Sequence, residues 1–411
     1  MSHAPLYLVI NRFEHEFAEY HRYVDPAACR LAYITTPAGL AGLRTDRAVG
    51  TEVVDTLDPE PVLAAARRLA AAHGRPAAVA ALAEYDVLAA AQVREELGVA
   101  GGHPLDLVRR FRDKPVMKGL VEAAGLRTPR FLTLDAGSAA DPQRIADTLG
   151  LPLLLKPRTG VAARGIQRIG STAELAEALR SVDPAGYECE EFVPGAVLHV
   201  DGLRRAGQLR LATASEYINT CLAYTADGEP LGSVLLDDGP QRTAAIRFAD
   251  RCLDALDLAD GAFHLELIRH PGGELHFLEV GLRVGGGPVA FLHRDLFGID
   301  LHAESFRAAI GLPPRVPADP PLTGTGGGWL LMPEPRPLPS RVLARNSMRG
   351  VVPEVYHEAL PAVGTVLDGT GGFDRPGGVF RLKGDSAAAV HRAARAVIAG
   401  YDLKSEHLQS S

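Results

Sequence analysis

Residues 261–287 read GAFHLELIRHPGGELHFLEVGLRVGGG. HLELI and LHFLEV alternate as half-buried strands do, and PGGE between them supplies the glycines of a two-residue hairpin turn. With Gly272 and Gly273 as the central turn residues, Pro271 faces Glu274 and Glu266 falls directly opposite Glu279. Opposed residues of an antiparallel pair have Cβ atoms roughly 4.5–5.5 Å apart, where like charges repel. A shared proton, an arginine or a divalent cation can offset the repulsion, and hard cations such as Mg²⁺ prefer oxygen ligands of this kind. Arg283, four residues beyond Glu279, is the nearby arginine. A plain ion pair between it and one of the two glutamates is the simpler alternative.

The rest of the chain sets the class. Its 411 residues suffice for about two to three domains. Forty-three basic and 50 acidic residues, net charge −7, are spread without a basic stripe, so no nucleic acid is expected as partner. Cys29, Cys189, Cys221 and Cys252 lie far apart with no CxxC spacing, which points to reduced, packed thiols. The first apolar run ends at Arg12 and Glu14, too short for a secretory segment. The alanine-rich stretch 76–93 is broken by Glu84 and Asp86, which argues against a membrane span. A cytoplasmic protein is the expectation.

Four regions follow from the pattern. Residues 1–110 alternate short apolar runs (LYLVIN, RLAYITT, AAVAAL) with helical stretches, among them PVLAAARRLAAAHG with Pro61 near its start and Gly74 past its end, the rhythm of a parallel sheet. Region 111–190 opens with a helix closed by Gly125 and a strand led in by Thr128 and Pro129. It continues with LPLLLKP, a strand buried on both faces that ends in Lys156, and with the capping box STAE ahead of a further helix. Region 191–310 holds strands within 187–203 and 209–216, a helix in QRTAAIRFADRCLDALDL and the opening hairpin. Region 311–411 begins with proline- and glycine-rich linkers and ends in a helix that Asp385 or Ser386 can cap and Gly400 can stop.

Several residues could carry chemistry. Lys156 leads into RTGVAARGI, where Gly160, Ala163 and Gly165 let backbone N–H groups close over an anion, although the lysine precedes the glycines and the motif is no P-loop. The alternative is a surface loop with an extended lysine. YECEEFVPG places adjacent glutamates, Glu190 and Glu191, ahead of a Pro-Gly turn, a hinge able to present backbone groups to a purine edge or simply a solvated acidic pair. His199 and Asp201 share one face of LHVDG, and His264 shares the face of Glu266. Arg283 stands beside Gly285–Gly287, whose backbone can approach an anion closely. His270, His276, His293 and His302 show no convergent ligand spacing.

Taken in order over residues 75–310, these pieces resemble the ATP-grasp superfamily, most closely its carboxylate–amine (L-amino acid) ligase branch. The family's first lysine is matched by Lys114 in FRDK and its second by Lys156, followed by the loop with Gly160, Ala163, Arg164 and Gly165. Its adenine hinge is matched by EEFVPG, with Glu190 near the adenine amine and Glu191 and Val193 presenting backbone. Its metal carboxylates are matched by Glu266 and Glu279, and its oxyanion arginine by Arg283, with the N–H near Gly286. Three positions depart from the pattern: Gly281 stands where an asparagine ligand is common, Val197 where a glutamate usually holds the ribose, and Ala163 where a serine often meets phosphate.

The resemblance implies an α/β fold of ATP-grasp architecture: an N-terminal parallel α/β domain, a small lid, an antiparallel catalytic sheet and a C-terminal α+β subdomain. It implies ATP and one or two Mg²⁺ ions, with Mn²⁺ as substitute. It implies a small-molecule carboxylate and an amine joined through an acyl phosphate, with release of ADP and phosphate, and it allows a homodimer. An ATP-grasp carboxylase or formyl-activating ligase, or a nucleotide-binding regulatory module, are the alternatives.

Overall fold

The computed structural model describes residues 4–135, 137, 141–317, 320, 322, 324–370, 372, 373 and 375–408. The chain begins with β1 (Leu6–Asn11), β2 (Arg30–Thr35), β3 (Gly50–Val53), α1 (Pro59–His73), β4 (Ala78–Ala81), α2 (Val87–Glu96) and α3 (Leu105–Arg110). The four strands pair in parallel in the order β3-β2-β1-β4. β1 is buried on both faces, as its unbroken apolar run requires. Leu6, Leu8 and Ile10 pack on α1 and α2, while Tyr7 and Val9 meet Tyr20, Tyr23 and Phe306 from a much later helix. β3 escaped the pattern because GTEV is a half-exposed edge strand without an apolar run.

α4 (Lys114–Ala123) leads into the second unit; Asp113 caps its start and Gly125, at φ +74°, lies just past its end. Then come β5 (Phe131–Thr133), α5 (Pro142–Leu149), β6 (Leu153–Pro157), β7 (Gln167–Ile169), α6 (Thr172–Arg180) and β8 (Tyr187–Glu191). The sheet runs β5-β8-β6-β7, all antiparallel. Leu153, Leu155, Ile169 and Cys189 cover α5 and α6 with one face. By alternation, Phe131, Lys156, Glu188 and Glu190 occupy the other.

The third unit comprises β9 (Ala196–Arg205), β10 (Gln208–Tyr217), β11 (Leu231–Leu235), α7 (Pro240–Ala255), β12 (Gly261–Arg269), β13 (Leu275–Gly281), α8 (Val289–Phe297), α9 (Leu301–Ala309) and β14 (Gly326–Met332). β15 (Ser340–Arg345), β16 (Val355–Ala359), β17 (Val366–Leu367), β18 (Gly378–Gly384), α10 (Ala387–Gly400) and β19 (Leu403–His407) complete the described chain. An eight-stranded antiparallel sheet runs β13-β12-β9-β10-β11-β14-β18-β16, so strands from both sides of residue 310 share one sheet. β17-β15-β19 form a small sheet beside it. Ser386 caps α10, which runs to Gly400. Leu198, Val200, Leu265 and Leu267 pack against α7, and Trp329 and Leu331 against α8 and α9. Among the described residues no helix is long and apolar enough to cross a membrane.

The hairpin pairs Glu266 with Glu279 as expected, but by a different route. His270, not Pro271, faces Glu274, so the loop is Pro271-Gly272-Gly273, with Gly273 at φ +94°. That three-residue loop alone would slip the register by one and turn the two glutamates to opposite faces. A bulge at Leu278 inserts one residue and restores it.

Candidate active site

The site lies on the polar face of the large sheet. Along β9, Leu198 and Val200 face α7, which leaves His199 and Asp201 on the side of α8. Glu266 pairs with His199 and His264 with Asp201 on the neighbouring strand, while Ser215 and Thr213 flank them from β10. One face therefore collects a row of buried polar groups. Asp201 accepts from both histidines, at 2.5 Å from His199 Nδ1 and 2.8 Å from His264 Nδ1. His199 Nε2 lies 2.6 Å from Ser233 Oγ. Burial alone would lower His264, but the Asp201 charge and hydrogen bonds to Asp201 and Glu266 raise it to about 9, so it is a cation. Its Nε2 sits 3.4 Å from Glu266 Oε1, the same oxygen that accepts from Tyr217 Oη at 2.9 Å. Oε1 is thus pinned and Oε2 lies outside that set. His199, Asp201 and His264 have ligand atoms within 4.8 Å of one another, yet they are spent on each other and on supporting Glu266.

Lys114, at the start of α4, reaches Glu279 Oε2 at 3.1 Å and donates to the Gly160 carbonyl at 2.8 Å. The repulsion between the two glutamates is therefore answered by Lys114 on one side and His264 with Tyr217 on the other. Arg283 does not pair with either glutamate. Its Nε lies 2.5 Å from Glu84 Oε2, and Arg112 Nη1 lies 2.5 Å from Glu84 Oε1. Glu84 follows β4, at the point where the strand order reverses about β1 and where open α/β sheets bind ligands. The loops after β1 and β4 are tied there by Arg12 Nη2 and Asp86 Oδ1, 2.6 Å apart. Burial would raise Glu84, but Arg283 and Arg112 hold it below its usual value.

Gly285 lies flat against the carboxylate: a Cβ there would come within 2.3 Å of Asp201 Oδ1. Gly286 has open space, with Arg283 Nη1 no nearer than 3.9 Å to such a Cβ. Cys221 lies close enough to Glu266 and Glu279 that burial and their charges push its thiol up.

The second lysine sits among buried charges. Lys156 pairs with Glu190 Oε1, and Lys118, one helical turn after Lys114, donates to Glu190 Oε2 at 2.7 Å and to Glu188 Oε1 at 2.6 Å. The Glu190 carboxylate, placed by the resemblance near an adenine amine, is 1% exposed and held by both ammoniums. Glu191 is tied to Arg130, its Oε1 2.8 Å from that backbone N–H, and Val193 is half-buried in the hinge. In the loop after β6, Ala162 and Ala163 take φ of 57° and 55° and Gly165 takes 74°. Left-handed non-glycine residues in succession are strained, and such strain collects at ligand-binding loops. Arg164 extends to the C-terminal unit, where a Cβ on Gly372 would lie 3.2 Å from its Nη2.

Glu84, Lys118 and Glu188 were missed from sequence. Lys118 carries an i, i+4 signal with Lys114, and Glu188 an i, i+2 signal with Glu190. Glu84 carried only its place after a parallel strand.

No family model matches the chain. It is 24% identical over 263 residues to an L-arginine-specific L-amino acid ligase of Bacillus subtilis, covering 60% of this chain and 61% of that protein. It is 36% identical over 112 residues to an N5-carboxyaminoimidazole ribonucleotide synthase of Synechococcus elongatus, covering 27% and 28%. The chain thus spans less than two thirds of the length of these relatives. The L-amino acid ligase of Bacillus licheniformis superposes with a TM-score of 0.77 at 18% identity, covering 98% of this chain and 99% of that one. The biotin carboxylase domain of a Hydrogenobacter thermophilus 2-oxoglutarate carboxylase superposes with a TM-score of 0.68 at 17% identity, covering 97% and 90%. The chain has the fold of ATP-grasp structures, and the proteins it resembles in sequence are ATP-grasp ligases.

Proposed function

We propose that the protein is an ATP-dependent carboxylate–amine ligase that forms an amide or peptide bond through an acyl phosphate. The observation that carries this reading is the single cluster made by Lys114, Glu279 and the Gly160 carbonyl, which brings the lid loop onto the glutamate hairpin. Likeness to an L-arginine-specific L-amino acid ligase over 263 residues supports an amino acid or other small carboxylate as substrate. ATP would lie between lid and large sheet, its phosphates under the 158–166 loop with Lys114 and Lys156.

Opposed carboxylates with one oxygen of Glu266 already pinned suit a hard oxygen-preferring cation, so Glu266 and Glu279 would hold Mg²⁺, with Mn²⁺ as substitute. When bound, the ion neutralises phosphate charge during transfer. Gly281 supplies no side-chain ligand, which favours one protein-held ion over two. The residues of this chain do the rest. Arg283, fixed by Glu84, would face the oxyanion that develops when the amine attacks, and the Gly286 N–H would donate to it. Closure of the lid would keep water from the acyl phosphate.

The test is Mg²⁺-dependent release of ADP and phosphate from ATP, screened against amino acids, other small carboxylates, bicarbonate and formate. Stimulation by an amino acid pool, with a mass increment for the ligated product, supports the proposal. Stimulation by bicarbonate alone would select the carboxylase reading, which the matches to a carboxyaminoimidazole ribonucleotide synthase and a biotin carboxylase domain favour. Nucleotide binding without turnover in any pool would select a regulatory module.

A further inference from the structure

Among the described residues the Lys118 ammonium bonds to Glu188 and Glu190 and lies 4.6 Å from the Phe131 ring centroid, and it is fully buried. Glu190 divides its two oxygens between Lys118 and Lys156. Glu188 shares Lys118, and among the described residues its Oε2 has no hydrogen-bond partner. Two ammoniums thus balance two carboxylates in a buried layer between α4 and the lid sheet.

We propose that Lys118 is a positioning residue of the anion site: it sets how firmly Glu190 holds Lys156, and so how readily Lys156 turns to a phosphate. This rests on the nucleotide reading above.

Lys156 is 5% exposed and its only hydrogen-bond partner among the described residues is Glu190. Serving a phosphate means sharing or leaving that carboxylate, and a buried carboxylate left without a cation is strongly disfavoured. With Lys118 in place, Glu190 keeps one ammonium on Oε2 while Lys156 moves. Without it, Lys156 becomes the sole cation for both carboxylates and is locked to the hinge. Burial raises Glu188, whereas Lys156 and Lys118 more than offset burial at Glu190 and lower it, in keeping with one cation on the first and two on the second.

Charge counting therefore predicts a rescue that packing would not give. Lys118→Met should weaken binding of MgADP about tenfold, the equivalent of one charge-assisted hydrogen bond. Glu188→Gln in that background removes the surplus negative charge and should return the affinity to within about threefold of the wild type. Glu188→Gln alone leaves Lys118 wholly to Glu190 and should tighten binding.

Calorimetric titration of MgADP into the four proteins, with thermal midpoints recorded alongside, decides the matter. Equal affinity of Lys118→Met and wild type overturns the proposal, and so does a double variant that stays as weak as the single one. If Lys118→Met does not fold, Glu188→Gln alone decides: tighter binding supports the proposal and unchanged or weaker binding overturns it. A wild type that binds no nucleotide sinks the nucleotide reading first and this inference with it.

Discussion

Lys114 Nζ lies 3.1 Å from Glu279 Oε2, so one ammonium joins the first turn of α4 to the second strand of the glutamate hairpin. Removing either partner should cost turnover rather than fold. Glu279 is 35% exposed, and Glu279→Gln should leave the thermal midpoint near that of the wild type while abolishing ATP turnover. Lys114→Met should slow turnover about a hundredfold, as expected when a group facing transition-state charge is lost. Phosphate release and circular dichroism on the same preparations check both; undiminished turnover in Glu279→Gln would remove the metal assignment.

Glu84 holds Arg283 and Arg112 together, with all three side chains less than a quarter exposed. Glu84→Ala leaves two guanidiniums without their shared carboxylate and should cost about 3 kcal/mol, the lower end for a broken buried pair. Glu84→Gln keeps the shape and should lower ligation more than MgADP affinity. Urea titration measures the first effect. A substrate-stimulated rate set beside nucleotide affinity measures the second, and equal losses in both would detach Glu84 from the oxyanion end of the site.

The same carboxyl sets an acid limit. Its pKa is lowered on folding, so its contribution to stability is present above the usual 4.5 and is lost as pH falls through the lower folded value. Urea midpoints of wild type and Glu84→Gln should differ most near about pH 7 and converge toward about pH 3. A constant difference across that range would mean that the pair does not titrate in the fold.

Gly285 and Gly286 should respond differently to one added methyl group. At Gly285 it would strike Asp201 Oδ1 at 2.3 Å and His264 Nδ1 at 3.0 Å, breaking the hydrogen bond that orients His264 toward Glu266. At Gly286 there is room, and only the backbone N–H matters to the proposed chemistry. Gly285→Ala should therefore lose most turnover and Gly286→Ala should keep most of it. The reverse order would place the oxyanion contact on the wrong residue.

Much of this site was legible because its signals are local. Alternation put His199 with Asp201 on one strand face and His264 with Glu266 on another, and the pairing of β9 with β12 brings the four together on one sheet face. The opposed glutamates were also found, although two deviations of one residue each, the loop closed by His270 and Glu274 and the bulge at Leu278, cancel to give that register. Neither deviation leaves a mark in composition, since a bulge is chosen by packing on both sides of the strand. The simpler alternative for Arg283, an ion pair with Glu266 or Glu279, does not hold, because its carboxylate partner is Glu84, 199 residues away in sequence.

By itself the sequence determined what neighbours two or four residues apart can specify: which strands alternate, that the last helix starts at Asp385 or Ser386, which side chains share a face, and the order of lysine, hinge, carboxylate pair and arginine. Periodicity encodes the face of an element and says nothing of what that face will meet. Only the tertiary structure decided that Glu84 clamps Arg283, that Lys114 neutralises Glu279, and that Lys118 stands between Glu188 and Glu190. Each of those contacts joins separately folded sheets or helices. Its geometry is fixed by how their apolar faces pack, and the charged groups are held wherever that packing leaves them.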